Sequence, residues 1–260
     1  MNQLVLDNIT MRFGGLSAVS DLSFSTEKNK ITALIGPNGA GKTTTFNLIS
    51  GLLKPTYGKV SLDNQDLSAL EPHQVCKIGI GRSFQTPHIF PNLTALENVM
   101  IGSQLQTRTG FLSCGFKLSN ARSDENNIIE NAFEELQFLN LEQYSHQKAG
   151  TLPLGQQRLL EIARALATKP RLLLLDEPAA GLTQSELSKL REHLIQIKQR
   201  NISILLVEHN MRFVFKTVEY VVVMNFGKKL AEGKPDEIST NENVIAAYLG
   251  KSPKVDHAIA

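Results

Sequence analysis

Runs of apolar residues alternate with amphipathic segments along most of the chain. The run Leu172–Leu175 is apolar throughout, which predicts a strand buried on both faces of a parallel sheet. Further strands are predicted at 4–11, 21–26, 31–36, 58–64, 79–85 and 202–208, with a hairpin at 219–233. Helices are predicted at 41–51 and 185–200. This alternation of strands and helices favours an α/β fold.

The middle of the chain, 92–150, has a different pattern because it is polar and helical. Helices are predicted at 93–103 and 124–141, on either side of a loop near 107–120 that contains Gly and Ser. A helical segment between two strand-rich segments predicts a helical insertion in an α/β sheet.

Composition and charge narrow the class of protein. Of the 260 residues, 42% are hydrophobic, as in proteins that bury a core, and the formal net charge of +2 gives no general signal for nucleic acid. The N-terminus does not resemble a signal peptide, and every apolar run is far shorter than the ~20 residues that span a bilayer. We therefore expect a cytosolic protein in which Cys76 and Cys114 are free thiols.

The segment Gly36–Thr43, GPNGAGKT, fits the phosphate-binding pattern G-x-x-x-x-G-K-[ST] between a predicted strand and a predicted helix. Glycines let backbone N–H groups wrap the phosphates, Lys42 would neutralise the β- and γ-phosphate oxygens, and Thr43 would bind Mg²⁺. A glycine turn with an exposed lysine is the alternative, and the strand–loop–helix context disfavours it. The predicted nucleotide-binding residues are Gly36, Pro37, Asn38, Gly39, Ala40, Gly41, Lys42, Thr43 and Thr44.

Two adjacent carboxylates follow the apolar run at 172–175. Asp176 lies at the carboxyl end of the predicted strand, where α/β sheets bind ligands, and would hold Mg²⁺ through water. Glu177 could polarise an attacking water as general base. On its own such a pair is usually solvated, so the interpretation depends on the phosphate loop.

His209 and Gln85 also follow predicted strands. The imidazole of His209 could reach a γ-phosphate, and the amide of Gln85 could contact Mg²⁺ or the water. A single histidine after a strand is more often structural, and the glutamine alone is a weaker signal still.

The turn 152–156, LPLGQ, leads directly into another predicted helix. The apolar residues of this helix are Leu159, Ile162, Ala163 and Leu166. Arg158, Glu161 and Arg164 are predicted on its other face. A glycine turn before a helix N-terminus can bind an anion, because unpaired N–H groups point outward there.

In order and spacing, the phosphate loop, Gln85, the turn 152–156, Asp176–Glu177 and His209 resemble the nucleotide-binding subunit of ATP-binding-cassette transporters. The resemblance covers about residues 4–250. It implies ATP and Mg²⁺ as cofactors and an α/β, P-loop NTPase (RecA-like) core with an antiparallel β subdomain and an inserted α-helical subdomain. The expected organisation of this single domain is a core with β subdomain at 1–84 and 156–235, a helical subdomain at 85–155, a C-terminal helical end at 236–250 and a flexible tail at 251–260.

The resemblance also assigns roles. Phe13 matches the aromatic residue that stacks on adenine, for which a flat apolar face suffices; a core position is the alternative. The turn matches the family signature, which faces the phosphate loop of a partner in a head-to-tail pair, and comprises Leu152, Pro153, Leu154, Gly155 and Gln156. The implied catalytic residues are Glu177, His209, Gln85 and Lys42, and the implied metal-site residues are Thr43, Gln85 and Asp176.

Further segments resemble one subgroup, the ATP-binding subunits of branched-chain amino-acid importers, and within it the first of the two paralogous subunits. They are MRFGGLSAVSDLSF, the insertion GSQLQTRTGFLSCGFKLSNARSD, GQQRLLEIARAL, LDEPAAGL, LLVEHNMRFV and IAAYLG. The implied partners are a second ATP-binding subunit, either a paralogue or another copy, transmembrane permeases, and indirectly a substrate-binding protein, with no nucleic acid. The resemblance implies that the subunit lies at the cytoplasmic face of the membrane, where the permeases hold it.

Three positions depart from the family pattern. Pro153 stands where the signature has a serine whose hydroxyl donates to the γ-phosphate, and Leu154 replaces its first glycine. Losing one charge-assisted hydrogen bond weakens ATP-dependent closure by about 1.5–3 kcal/mol. Thr183 stands where aspartate is usual. Because a signature acts on the partner's ATP, the proline bears on the partner's site and favours an asymmetric pair.

Other functions remain as alternatives. They are an ATPase for urea or amide uptake, one for lipid or lipopolysaccharide export, and an ATP-binding regulatory subunit that scarcely hydrolyses. A relative acting on ribosomes or DNA is disfavoured because the chain has neither a second cassette nor a long coiled-coil insertion. A P-loop GTPase is disfavoured because no N-K-x-D motif is present.

Overall fold

A computed structural model describes residues 2–84, 88–104 and 119–249. Within it the chain divides into two compact units, residues 1–71 with 205–260, and residues 72–204. The strands are β1 (Asn2–Phe13), β2 (Leu16–Glu27), β3 (Ile31–Ile35), β4 (Tyr57–Leu62), β5 (Gln65–Asp66), β6 (Ile80–Arg82), β7 (Leu172–Asp176), β8 (Ser203–Val207), β9 (Tyr220–Asn225) and β10 (Lys228–Gly233).

The helices range from five to twenty residues. They are α1 (Lys42–Ile49), α2 (Pro72–Ile78), α3 (Ala95–Ser103), α4 (Ser119–Phe138), α5 (Leu154–Leu166), α6 (Gln184–Gln199), α7 (Met211–Thr217), α8 (Pro235–Ser239) and α9 (Glu242–Leu249). Short 3₁₀ turns lie at Glu142–Tyr144 and Ala149–Thr151. Among the described residues, no helix is both long enough and apolar enough to cross a bilayer.

The first unit contains a four-stranded antiparallel sheet in the order β2-β1-β4-β5. A hairpin joins β1 to β2, pairing Phe13 with Leu16 across a Gly14–Gly15 turn. In the same unit β3 runs parallel to β9, and β9 runs antiparallel to β10. All five residues of β3 are buried, and four of them are apolar, as expected for a strand covered on both faces.

In the second unit β6 runs parallel to β7, and helices α3, α4 and α5 pack against one another through largely apolar buried residues. Gly102 lets α3 approach α5 closely, because a Cβ there would lie 2.1 Å from the carbonyl oxygen of Arg164. A two-pronged ion pair of Arg200 with Glu135, at 2.5 Å, ties the end of α6 to α4.

The elements match the α/β prediction, with two differences. The predicted strand at 79–85 is only three residues long in β6, and the seven-residue helices α2 and α7 were not predicted. On the polar face of α5, the side chains of Arg158 and Glu161 are both buried. Cys76 is a free thiol. Cys114, residues 107–118 of the predicted loop and the tail fall outside the described residues, while residues 119 and 120 begin α4.

Candidate functional site

The phosphate loop closes around its own lysine. Lys42 begins α1, and its Nζ donates hydrogen bonds to the carbonyl oxygens of Gly36, at 2.8 Å, and Pro37, at 2.9 Å. The side chain is only 6% exposed, so the ammonium lies inside the arch of the loop rather than in solvent. The loop is thereby held in a curved form ahead of a helix N-terminus, whose first N–H groups have no intrahelical partner.

Two glycines of the loop are required by their surroundings. A Cβ on Gly36 would lie 2.2 Å from the carbonyl oxygen of Met224 in β9, and one on Gly41 would lie 2.6 Å from that of Ala18 in β2. Both also have positive φ angles, 155° and 99°. The strands on either side therefore hold the loop by backbone contact, which only glycine permits.

The opposite side of the loop is open. Asn38 and Gly39 are exposed, and a Cβ added to Gly39 would meet no atom within 4 Å. In the first turn of α1, Thr43 is exposed and Thr44 half-buried, whereas Ala40 is buried. The loop thus presents its open side and the Thr43 hydroxyl to solvent, where a phosphate group can approach.

A residue that sequence analysis did not single out supports the loop from the C-terminal end. Tyr248 in α9 hydrogen-bonds to the backbone of Gly36. Burial raises the pKa of the Tyr248 hydroxyl to about 12, and the hydrogen bond opposes that rise. The only sequence signal was the likeness of IAAYLG to one subgroup, which does not indicate a contact with residue 36.

Asp176 is the last residue of β7 and is 4% exposed. Its backbone N–H donates to Oγ of Ser83, at 3.3 Å, and its Oδ2 lies 3.7 Å from Nη2 of Arg82. Burial lowers the pKa of Arg82, and the charge of Asp176 opposes this effect. The end of β6 thus contacts Asp176 twice, through Arg82 at the carboxylate and through Ser83 at the backbone.

Glu177 follows at once and has a left-handed backbone, with φ of 50°. This conformation costs a non-glycine residue on the order of 1 kcal/mol and is over-represented at functional sites. The carbonyl oxygen of Glu177 accepts a hydrogen bond from the N–H of Ala180, at 3.1 Å, which fixes the turn after the strand.

The first unit also holds Phe13 and His209. Phe13, at the tip of the β1–β2 hairpin, is 47% exposed, so the alternative of a core phenylalanine is wrong. His209 is exposed beyond β8, and its backbone N–H donates to Oε2 of Glu208, at 3.1 Å. Asp176, Glu177 and the turn 152–156 belong to the second unit.

The turn 152–156 is buried at its first residue and exposed at Leu154. Leu152 is buried, and its carbonyl oxygen accepts a hydrogen bond from Nε2 of Gln157, at 2.8 Å. Pro153 is the N-cap of α5 and has no side-chain acceptor for the helix N–H groups, while Leu154 is exposed. Oε1 of Gln156 is buried without a hydrogen-bond partner in the described part of the chain.

Thr183 has a local structural role. It is the N-cap of α6 and forms a capping box with Glu186, in which Oε2 of Glu186 accepts hydrogen bonds from the N–H and Oγ1 of Thr183, at 2.8 and 2.7 Å. Threonine and aspartate are both good N-caps, so this departure from the family pattern preserves the helix start.

Glu161, on the polar face of α5, is buried and accepts hydrogen bonds from backbone groups. Its Oε1 accepts hydrogen bonds from the N–H groups of Phe84, at 3.1 Å, and His88, at 3.3 Å. Burial raises the pKa of Glu161, and these two hydrogen bonds and the charge of Arg164 oppose the rise. Glu161 thus binds both flanks of the segment that contains Gln85, which itself lies outside the described residues.

Comparison with known sequences gives two family matches. Residues 19–180 match the family described as ABC transporter, and residues 228–253 match that described as branched-chain amino acid ATP-binding cassette transporter. The chain is 41% identical to the high-affinity branched-chain amino acid transport ATP-binding protein BraF of Pseudomonas aeruginosa, and 39% to LivG of Escherichia coli. Each alignment covers 96% of this chain and 98% of the relative.

Solved structures agree with this result. The ADP conformation of MJ1267, an ATP-binding cassette of an ABC transporter, has a TM-score of 0.83 and 34% identity, covering 96% of this chain and 99% of that one. The dimeric post-hydrolysis state of the cassette MJ0796, bound to ADP and Pi, has a TM-score of 0.76 and 28% identity, covering 89% and 98%. The predicted P-loop NTPase fold is therefore confirmed, and the chain belongs to the ABC transporter family, among its branched-chain amino acid transport ATP-binding proteins.

Proposed function

We propose that the chain is the ATP-binding and ATP-hydrolysing subunit that powers a membrane importer of branched-chain, hydrophobic amino acids. The observation that carries the proposal is the phosphate loop closed on Lys42 at the start of α1. The 41% identity to BraF supports the substrate class. The similarity to BraF favours import of branched-chain amino acids over uptake of urea or amides and over export of lipid or lipopolysaccharide.

The proposed roles follow the chemistry of each side chain. Lys42 neutralises phosphate charge, and the loop N–H groups wrap the phosphates. Oxygen ligands suit Mg²⁺, so the hydroxyl of Thr43, the carboxylate of Asp176 through water, and the amide of Gln85 would hold it, and the ion would offset charge on the transferring phosphoryl group. Glu177 takes the proton of the attacking water, while His209 and Gln85 orient the water and the γ-phosphate.

The proposed partners are a second ATP-binding subunit and a pair of permeases. The MJ0796 dimer supports the pairing of two cassettes, and the names of BraF and LivG support membership of a transport complex. In the proposed cycle ATP bridges two subunits and closes them, and hydrolysis lets them open. The subunit would then lie at the cytoplasmic face of the membrane, held there by the permeases.

Transport in reconstituted vesicles tests the function. The chain is purified with its permeases and second ATP-binding subunit, and uptake of labelled leucine, urea and acetamide is measured with ATP inside or outside. We expect leucine uptake that requires ATP on the side of this subunit. Uptake of urea or acetamide alone would overturn the substrate class, and ATP-independent uptake would overturn the role.

The second candidate function is a regulatory subunit that binds ATP but scarcely hydrolyses it. Pro153 favours it, because a proline N-cap offers no hydroxyl at the signature. The strained Glu177 at the end of β7 favours hydrolysis instead. ATP turnover by the purified complex separates the two functions.

We predict that Pro153→Ser strengthens the signature. Serine is a good N-cap and restores a donor hydroxyl, so the KM for ATP of the complex should fall by about threefold or more. Steady-state ATPase assays at varied ATP measure this change. An unchanged or higher KM would mean that the proline suits its context.

We also predict that Phe13→Ala weakens nucleotide binding. Aromatic stacking on a base contributes about 1 kcal/mol or more, so the Kd for ATP should rise about fivefold. Leu16→Ala is the matched control, because Leu16 is opposite Phe13 in the hairpin and is also exposed. Equal effects of the two substitutions would argue against stacking. Titration of the purified subunit with a fluorescent ATP analogue gives both constants.

A further inference from the structure

The start of α6 and the start of α5 lie against each other in the second unit. Gly181, which has a φ of 77°, precedes the N-cap of α6, and a Cβ on it would lie 3.0 Å from Cδ2 of Leu154. A Cβ on Gly155 would lie 2.5 Å from Oε1 of Glu186. The carboxylate of Glu186 therefore lies against the first turn of α5.

The position of this carboxylate is fixed by its own helix. Oε2 accepts the two hydrogen bonds from Thr183, and the N–H of Glu186 donates back to Oγ1 of Thr183, at 3.4 Å. These hydrogen bonds lower the pKa of Glu186, with a smaller effect from the charge of Lys189. The group is thus negatively charged at neutral pH, with one oxygen used in the cap and the other facing Gly155.

The negative charge of Glu186, beside the first turn of α5, repels any anion that the N-terminus of this helix attracts. The N-terminus of a helix attracts anions, and the carboxylate of Glu186 already lies against that of α5. Pro153 adds no side-chain donor to offset this charge. A phosphate that approaches the turn 152–156 from a partner therefore meets like-charge repulsion that a neutral residue at position 186 would not exert.

We infer that Glu186 is a tuning residue of the signature, a fixed negative charge that weakens the binding of the partner's γ-phosphate to the turn 152–156. The inference rests on the proposed function. Glu186 sets the ATP concentration at which the pair closes, so that the chain closes over its partner's nucleotide later than a cassette with a neutral residue there would.

Glu186→Gln tests the inference without removing the cap, because glutamine also serves in a capping box. Loss of the charge should lower the KM for ATP of the complex by about three- to tenfold. The difference in KM between Glu186→Gln and the wild type should decrease as the salt concentration rises from about 0.05 M to about 0.5 M. The Debye length, over which exposed charges interact, falls from about 14 Å to about 4 Å in this range.

Glu97→Gln is the matched control. Glu97 forms the same capping box with Thr94 at the start of α3, so it reports the cost of altering a capping box alone. The KM for ATP should be unchanged in this variant. Equal KM values for Glu186→Gln and the wild type, or equal shifts in both variants, would overturn the inference while leaving the proposed function intact. Failure of the wild-type complex to hydrolyse ATP would overturn the proposed function, and the inference with it.

Discussion

Glu177→Gln is expected to lower kcat for ATP hydrolysis by about two to four orders of magnitude. An amide cannot take the proton of the attacking water, whereas its size and its hydrogen-bonding atoms preserve the geometry around β7. The Kd for ATP should not rise, because Lys42 and the loop remain intact. Phosphate release under saturating ATP measures kcat, and equilibrium binding of ATP measures Kd on the same sample.

The substitution also separates the two candidate functions. A regulatory subunit would release phosphate at the same low rate with and without Glu177. Glu142→Gln is a suitable control, since Glu142 is exposed at a 3₁₀ turn and should leave kcat unchanged. If Glu177→Gln and the wild type hydrolyse ATP equally fast, Glu177 is not the general base.

Gly36→Ala is expected to raise the Kd for ATP by at least about 30-fold. The added methyl group would lie 2.2 Å from the carbonyl oxygen of Met224, so the loop must move away from β9. Steric overlap and the positive φ together cost about 2–4 kcal/mol. Isothermal titration with ATP and a thermal unfolding curve distinguish lost binding from lost folding.

The variant Gly39→Ala separates the effect of steric overlap on ATP binding from the effect of backbone strain. Gly39 has a φ of 78°, but a Cβ there would meet no atom within 4 Å. Its cost should be about 1 kcal/mol, or about fivefold in Kd. If the two alanine variants weaken ATP binding equally, contact with β9 does not shape the loop.

The phosphate loop was predictable from sequence because its pattern is local. Glycine spacing, a lysine and a hydroxyl occupy eight consecutive residues, and flanking apolar periodicity supplies the strand and the helix. The same holds for Asp176, whose place at a strand end follows from the apolar run before it. The short helices α2 and α7 were not predicted, since seven residues give too few turns for a clear period.

Long-range contacts explain what the sequence did not predict. Glu161 and Arg158 lie on the polar face of α5, and the helical spacing does not indicate that both are buried. The partners of Glu161 are the N–H groups of Phe84 and His88, more than 70 residues earlier in the chain. Thr183 replaces the aspartate that is usual in the family, and its role as N-cap in a capping box with Glu186 is visible only in the structure.

The hydrogen bond between Tyr248 and the backbone of Gly36 joins α9 to the phosphate loop. If ATP binding changes the backbone of Gly36, we expect this hydrogen bond to pass the change on to α9. A fluorophore attached next to α9 would report nucleotide state from outside the site. By the same contact, a protein that binds α9 would alter the affinity for ATP without contacting the nucleotide.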